Sequence, residues 1–324
     1  MSKIVAVIGA TGGQGGSVAD ALLADGTFQV RAVVRDPSSE KAKVLSNRGV
    51  EVVKANLDDK DSLIAAFESG FKGAYAIFAV TNFFEPFVKY GPAAAEKQDF
   101  QQAKNMADAA AATDGLSHYI WSTLPSSKAI SNGKFHVPHF EGKAAADEYI
   151  VSNLPALAAK TTFFWVSFYG GNLAYPTFTP NFVKSSGKYV WVQPTSESMP
   201  LSTIGDHTKN IGIFAEAVLK QPERTRGKYV LVESETTTLG GYLERWSKYS
   251  GKEVAYVPTT LGAYDSLFPS WGLELGVMLQ FWESAGSKSW SKAGVTPLRK
   301  EDLGIDQSRF TTIEDAFRTL DLGI

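Results

Sequence analysis

Three glycines near the N-terminus have the spacing of a phosphate-binding turn. Gly9, Gly12 and Gly15 follow an apolar run at residues 4–8 and precede an amphipathic helical pattern. In such a strand-turn-helix unit the glycines permit a tight turn, a close approach of backbone to pyrophosphate and close packing of the helix on the strand. Amide groups at the helix N-terminus attract the phosphates. The sequence therefore predicts a dinucleotide site, whose turn consists of Gly9, Thr11, Gly12, Gly13, Gln14 and Gly15.

The residue after the second apolar run indicates which dinucleotide binds. An acidic side chain there would hold the ribose 2′-hydroxyl of NAD, whereas an arginine accommodates the 2′-phosphate of NADP. Arg35 occupies this position, and its guanidinium fork suits a phosphate monoester, so we predict NADP(H). Asp36 follows directly and leaves NAD open, and a solvated basic loop is the other interpretation. Asn56 and Leu57, after the third apolar run, are predicted to reach the adenine edge.

Composition narrows the class of protein. The chain has 324 residues, a net charge of -2 and no cysteine. Such a charge attracts neither nucleic acid nor an anionic membrane, and a chain without cysteine has no disulfide, thiolate metal site or cysteine nucleophile. The four histidines have no acidic partner at ligand spacing, so we predict no metal site. No apolar stretch reaches the roughly 18 residues of a membrane helix, and we expect a cytoplasmic protein.

Short apolar runs alternate with helical patterns through the first half of the chain. The runs lie at residues 4–8, 30–34, 50–53, 75–80, 119–121 and 161–166, and the helical patterns at 61–68, about 96–112 and 140–151. This alternation predicts an α/β fold, a Rossmann-like doubly wound parallel sheet of six strands.

The second half is less regular and richer in aromatic residues. It contains two isolated strand candidates, 189–192 and 229–232, and a helix at 206–219 that returns to the main domain. We predict a dinucleotide-binding domain over 1–155, with return segments near 161–170 and 200–220. A smaller α+β substrate or partner domain takes up most of 170–324.

Four segments together resemble one family. They are the glycine turn, residues 26–31 (GTFQVR) leading to 35–37 (RDP), residues 80–85 (VTNFFE) and residues 139–143 (HFEGK). With them the chain resembles the NmrA-like family, an atypical branch of the short-chain dehydrogenase/reductase superfamily, over almost its whole length. The resemblance implies a domain that binds NADP(H), in some members as a redox sensor for a regulated protein and in others as a reductase. It also implies cofactor contacts by Ala79, Val80, Thr81, Phe168, Tyr169 and Asn172.

The superfamily resemblance also implies where catalysis would occur. Its members carry a tyrosine and a lysine four residues apart on one helix face, and here the pair is His139 and Lys143. Lys143 is predicted to hold the nicotinamide ribose. His139 is a candidate general acid, since imidazole titrates near neutral pH, or it packs the helix start. Ser122 or Thr123, at the end of the fifth strand, would polarise a substrate carbonyl or simply cap the chain.

Aromatic residues beyond the sixth strand predict an apolar pocket. It would suit a small apolar or aromatic carbonyl-type substrate, and the same residues also fit a domain core or a groove for a partner protein. The predicted pocket residues are Asn82, Phe83, Trp165, Tyr169 and Trp191. The leading hypothesis is an NADPH-dependent oxidoreductase. The alternatives are a non-catalytic NADP(H) sensor of a partner such as a transcription factor, then also nuclear, and a scaffold that keeps the glycine turn only for its shape.

Overall fold

The computed structural model describes residues 3–69 and 73–320, which form thirteen strands and fourteen α-helices. The strands are β1 (Lys3–Ile8), β2 (Phe28–Val34), β3 (Glu51–Lys54), β4 (Ala76–Ala79), β5 (His118–Thr123), β6 (Thr161–Val166), β7 (Phe168–Tyr169), β8 (Asn181–Val183), β9 (Lys188–Gln193), β10 (Pro200–Gly205), β11 (Lys228–Val232), β12 (Glu235–Thr238) and β13 (Val254–Pro258). The helices are α1 (Gly13–Asp25), α2 (Glu40–Asn47), α3 (Lys60–Phe67), α4 (Phe84–Tyr90), α5 (Pro92–Ala112), α6 (Ser127–Ile130), α7 (Pro138–Asn153), α8 (Pro155–Ala158), α9 (His207–Lys220), α10 (Pro222–Thr225), α11 (Leu239–Ser250), α12 (Leu261–Leu267), α13 (Trp271–Ala285) and α14 (Ile313–Phe317). Short 3₁₀ helices lie at Gly170–Ala174, Gly286–Lys288 and Gln307–Arg309.

A seven-stranded parallel sheet forms the centre of the molecule. Its order is β11-β6-β5-β4-β1-β2-β3, and helices separate its successive strands along the chain. Chain order reverses between β1 and β4, and in such sheets ligands bind outside the carboxyl ends of the strands at this point. The predicted Rossmann-like, doubly wound sheet is confirmed, and its switch point predicts the position of a site.

The prediction of six strands, with residues 229–232 as an isolated strand, was wrong. Strand β11 pairs in parallel with β6, from Lys228 beside Thr162 to Val232 beside Val166. Its apolar run resembles that of a core strand, but more than sixty residues separate it from its partner, so periodicity alone does not reveal the pairing.

Two three-stranded sheets, β12-β10-β7 and β8-β9-β13, make up the less regular part of the chain. The candidate strand at 189–192 is therefore not isolated, because it lies in β9 between β8 and β13. The predicted return helix is α9, and it packs closely on α1. A Cβ atom on Gly212 would lie 2.1 Å from the carbonyl oxygen of Ser17, so only glycine allows this approach.

The helix pair α5 and α7 lies beside the end of the sheet that carries the switch point. Gly142 brings them together, since a Cβ atom there would lie 2.9 Å from the Glu96 carbonyl oxygen and 3.2 Å from Oδ2 of Asp99. This approach sets a carboxylate of α5 opposite the side chains of α7. α5 is the longest helix of the described residues, and none of their helices has both the length and the apolar character needed to cross a membrane.

Candidate functional site

One cavity of about 790 Å³ opens at the switch point of the central sheet. Its wall combines the glycine turn, the carboxyl ends of β1, β2, β4, β5 and β6, and side chains of α4, α7 and α13. The predicted site residues that line it are Gly9, Thr11, Gly12, Gly13, Gln14, Gly15, Arg35, Asn56, Leu57, Val80, Thr81, Asn82, Phe83, Ser122, Thr123, His139, Lys143, Phe168, Tyr169 and Asn172. Residues from distant parts of the chain therefore meet at one cavity.

Three predicted residues lie elsewhere. Trp165 is fully buried, with its ring centroid 4.7 Å from that of Tyr229, and Trp191 is buried with Nε1 donating to the Phe178 carbonyl oxygen at 2.6 Å. Placing these two tryptophans in the substrate pocket was wrong, because both fill the hydrophobic core. Ala79 is also fully buried in the core and does not line the cavity, and the cofactor contact predicted for it stays a prediction.

The glycine turn is packed too closely for side chains at Gly13 and Gly15. Gly9 has a φ of +69°, and its carbonyl oxygen accepts a hydrogen bond from the Gly12 amide at 2.8 Å. A Cβ atom on Gly15 would lie 2.4 Å from that carbonyl oxygen, and one on Gly13 would lie 2.6 Å from Nε2 of His207. No side chain caps the first turn of α1, so its N-terminal amides are left for another acceptor.

Arg35 lies at the exposed edge of the cavity and is paired with an acid. Its Nη1 atom is 2.8 Å from Oε1 of Glu85, and Asn82 donates to the other carboxylate oxygen of Glu85 at 3.3 Å. The hydrogen bond from Arg35 holds the pKa of Glu85 below its ordinary value, and the same bond raises the pKa of Arg35. The guanidinium predicted to select the cofactor therefore already has an anionic partner.

The side chain of Gln14 links two sides of the cavity. Its Nε2 atom donates to the Tyr169 hydroxyl at 2.6 Å, and its Oε1 atom accepts the Ser122 hydroxyl at 2.7 Å. Burial raises the pKa of Tyr169 to about 12, so this phenol keeps its proton at neutral pH. The sequence analysis placed Gln14 in the glycine turn, and the structure adds this side-chain bridge.

His207 was missed by the sequence analysis. Its ring stacks on Tyr169 with centroids 4.3 Å apart and an interplanar angle of 5°. Burial lowers its pKa below the ordinary value, and Nδ1 is buried without a hydrogen-bond partner in the described residues. The only signal in the sequence was Asp206, which caps α9 and indicates that a helix begins there.

Lys143 is held from two directions. Its Nζ atom donates to the Thr81 hydroxyl and lies 3.2 Å from both carboxylate oxygens of Asp99, whose side chain is fully buried. The ammonium also lies over the ring of Trp121, 5.7 Å from its centroid. The ion pair fixes Nζ at the carboxyl end of β4, beside the switch point.

The hydroxyl of Thr123 is engaged inside the protein. It donates to Oδ1 of Asp147 at 2.7 Å, and Nε1 of Trp121 donates to the same oxygen at 2.9 Å. Burial raises the pKa of Asp147 to about 7. Because the Thr123 proton is directed at Asp147 and the Ser122 proton at Gln14, neither hydroxyl donates into the cavity in this state.

His139 forms a buried pair with a residue far along the chain. Its Nδ1 atom lies 2.5 Å from Oε1 of Glu274 on α13, 135 residues away, and the two side chains are 8% and 2% exposed. Glu274 also accepts the His139 amide at 3.3 Å. The rings of Phe83, Phe84 and Phe140 surround the imidazole at 4.9–5.6 Å between centroids.

Glu274 was also missed, although the sequence carried a signal. It is the one acidic residue in the first turn of α13, whose residues before Gln280 are otherwise apolar, and a charged residue is seldom buried without a partner. The partner itself had no signal, because no spacing relates two residues so far apart.

An aromatic wall continues from His139 along the cavity. Phe84 stacks on Trp271 at 5.4 Å with an interplanar angle of 19°, and Tyr175 lies 6.3 Å from the Trp271 ring. Flat apolar surfaces of this kind accommodate flat apolar groups. Trp271 belongs to α13, so the C-terminal half of the chain supplies part of this wall.

The fold and its switch-point cavity define a Rossmann-like α/β protein. The chain belongs to the NmrA-like family, whose family model matches residues 1–317. The resemblance stated from the sequence is thus confirmed.

Relatives of this chain carry the same family name, and a solved structure has a similar fold. An NmrA-like family domain-containing protein of Dictyostelium discoideum is 30% identical over 300 residues, which cover 88% of this chain and 89% of that protein. The NmrA-like family domain-containing oxidoreductase FrzB of a Cladobotryum species is 28% identical over 283 residues, which cover 84% of this chain and 78% of that protein. The fold is similar to that of NmrA, a negative transcriptional regulator solved in complex with NADP, with a TM-score of 0.77, 21% identity and coverage of 100% and 99%.

Proposed function

We propose that the protein is an NADP(H)-dependent oxidoreductase that reduces a small apolar or aromatic carbonyl-type substrate. The observation that carries this proposal is the meeting of three features at one cavity: the glycine turn, Lys143 and the His139–Glu274 pair. The name of the relative FrzB, an oxidoreductase of the same family, supports the same class of activity.

The residues present fit the dinucleotide. The glycine turn is so tight that a Cβ atom on Gly15 would collide with the backbone. The amides at the N-terminus of α1 have no side-chain cap, so they provide donors for pyrophosphate. Arg35 would hold the 2′-phosphate once Glu85 releases it, and Asn56 and Leu57 would border the adenine. The volume of about 790 Å³ lies in the range of roughly 300–1,000 Å³ typical of ligand sites.

Reduced NADP would supply the hydride when bound. Lys143, held by Thr81 and Asp99, would orient the nicotinamide ribose once one of its three N–H groups turns from Asp99 to the ribose. His139 would donate a proton to the substrate oxygen from Nε2, because Nδ1 faces Glu274. The aromatic wall would exclude water from the reacting atoms and hold a flat substrate.

Turnover with a defined panel tests this proposal. Purified protein is offered NADPH or NADH with aromatic and aliphatic ketones, imines and quinones, and cofactor oxidation is followed by absorbance. We expect oxidation of NADPH with an aromatic carbonyl compound, and its loss in Gly15→Ala. Tight NADPH binding without oxidation by any member of the panel would contradict the proposal.

A redox sensor is the second candidate, and helix α4 favours it. This helix carries Glu85, which pairs with Arg35, and Phe84, which stacks on Trp271, so one short element contacts both ends of the cavity. A ligand that displaces Glu85 would thereby change the aromatic wall. Hydrogen exchange of the α4 amides would then differ among the free protein, the NADP⁺ complex and the NADPH complex, and equal exchange in all three would rule out a sensor that acts through α4.

A further inference from the structure

We propose that Glu274 is a positioning residue that orients the imidazole of His139, so that Nε2 faces the cavity as the proton donor. The pair joins α13 of the C-terminal half to α7, the helix that also carries Lys143. The inference rests on the proposed function for the use of the proton, while the orientation itself is independent of it.

The surroundings of the pair make an accidental contact implausible. The imidazole lies among Phe83, Phe84 and Phe140, and both side chains of the pair are almost completely buried. Burying ionisable groups among apolar rings costs free energy unless they pair with good geometry. Nδ1 and Oε1 lie 2.5 Å apart, close enough for a hydrogen bond, and a hydrogen bond to an ionised carboxylate is stronger than one between neutral groups.

The contact with Glu274 indicates which ring nitrogen carries hydrogen. A carboxylate can only accept, so with ionised Glu274 beside it Nδ1 carries hydrogen in both charge states of the ring. The other nitrogen, Nε2, has no hydrogen-bond partner among the described residues and is not sealed from the cavity that His139 lines. Only Nε2 is then free to exchange a proton with a ligand.

The reaction balances with this assignment. The reduced dinucleotide, which the glycine turn and Lys143 would hold, would supply a hydride to the carbonyl carbon of the substrate, and the electron pair of the carbon–oxygen π bond would move to oxygen. That oxygen takes the proton of Nε2, so a C–H and an O–H bond form and the carbonyl is reduced to an alcohol. The imidazolium becomes neutral imidazole with Nδ1–H still directed at Glu274, and solvent restores the second proton.

A purely structural role is the competing explanation. Glu274 also accepts the backbone amide of His139 in the first turn of α7, a helix without a side-chain cap. Glu274→Gln keeps an acceptor oxygen for that amide and for Nδ1 but removes the negative charge. Glu274→Leu removes acceptor and charge together.

The first readout needs neither substrate nor cofactor. Heteronuclear NMR of histidine labelled in its imidazole nitrogens reports which nitrogen of neutral His139 carries hydrogen. We expect the Nδ1–H form in the native protein and in Glu274→Gln, and a mixture of both forms in Glu274→Leu. Glu96→Gln is the matched control, since the half-exposed His136–Glu96 pair has a similar distance of 2.8 Å but lies outside the cavity.

The second readout is the split between binding and turnover. We expect kcat to fall roughly 100-fold in Glu274→Leu and less in Glu274→Gln, with the dissociation constant of NADPH unchanged and with Glu96→Gln equal to native protein.

A structural cap predicts that Glu274→Gln behaves as native protein in every measurement and that Glu274→Leu loses NADPH binding along with kcat. An unchanged proton distribution in a folded Glu274→Leu would overturn the positioning role. A shifted distribution in a protein that reduces no substrate would instead reject the proposed function and leave the positioning intact.

Discussion

Arg35 at the end of β2 and Glu85 on α4 form an ion pair of 2.8 Å at the exposed edge of the cavity. Both side chains are more than half exposed, so the pair contributes little to stability. Its position is more informative than its strength, because Glu85 covers the guanidinium that a 2′-phosphate would need. A negative charge at this point opposes the ligand that Arg35 attracts.

Removal of that charge should sharpen the selection of NADP⁺ over NAD⁺. In Glu85→Gln, we expect the affinity for NADP⁺ to rise about two- to fivefold, the size of an exposed ion pair, with NAD⁺ nearly unchanged. Calorimetric titration with each dinucleotide measures the ratio of the two affinities. Glu223→Gln, which breaks the exposed pair with Arg226, is the control. An equal gain for both dinucleotides would show that Glu85 does not face the 2′-phosphate.

The glycine turn offers a second test with an internal control. In Gly15→Ala the new Cβ atom would lie 2.4 Å from the Gly9 carbonyl oxygen, so the turn must open, at a cost of about 1–3 kcal/mol, and dinucleotide binding should be lost. In Gly16→Ala the nearest atom is the Ala10 carbonyl oxygen at 3.4 Å, an ordinary contact, and alanine favours the helix by about 0.5–1 kcal/mol. The melting temperatures of the two variants should therefore change in opposite directions, and calorimetry should show the loss of dinucleotide binding only in Gly15→Ala. Retained binding in Gly15→Ala would contradict the phosphate role of the turn.

The sequence predicted local features well and distant pairings poorly. The turn at Gly9 and the helix that bears Lys143 follow from residue types a few positions apart, namely the glycine spacing and Pro138 at the helix start. The contact between His139 and Glu274 arises only after α13 packs against α7, and no local pattern encodes it. The prediction that Trp165 lines the substrate pocket was wrong for a related reason. Its residue type indicates burial but not whether the ring faces the core or the cavity.

Asp147 predicts a pH-dependent stability. Burial raises its pKa from the ordinary 3.8 to about 7, so the folded state holds a proton that the unfolded state releases between these values. Its contribution to stability is thus greatest below about pH 4 and is lost as the pH rises through about 7. Asp147→Asn keeps an oxygen for Thr123 and Trp121 but cannot ionise. We expect its free energy of unfolding, measured by urea, to exceed that of native protein by a margin that grows between about pH 4 and pH 7, to a few kcal/mol. A constant margin would mean that Asp147 is ionised throughout.

The His139–Glu274 pair predicts strong non-additivity in stability. His139→Leu leaves a buried carboxylate without its partner, and Glu274→Leu leaves the imidazole without its acceptor. We expect each single variant to lose about 3–5 kcal/mol, the usual cost of breaking a buried pair from one side. The double variant leaves no buried polar group without a partner, because leucine side chains fill the space of the pair. Its free energy of unfolding should therefore fall by much less than the sum of the two single losses. Urea unfolding of the four proteins gives the coupling energy directly. Losses that simply add would show that the two side chains do not interact in solution, and both the ion pair and the positioning role of Glu274 would then have to be abandoned.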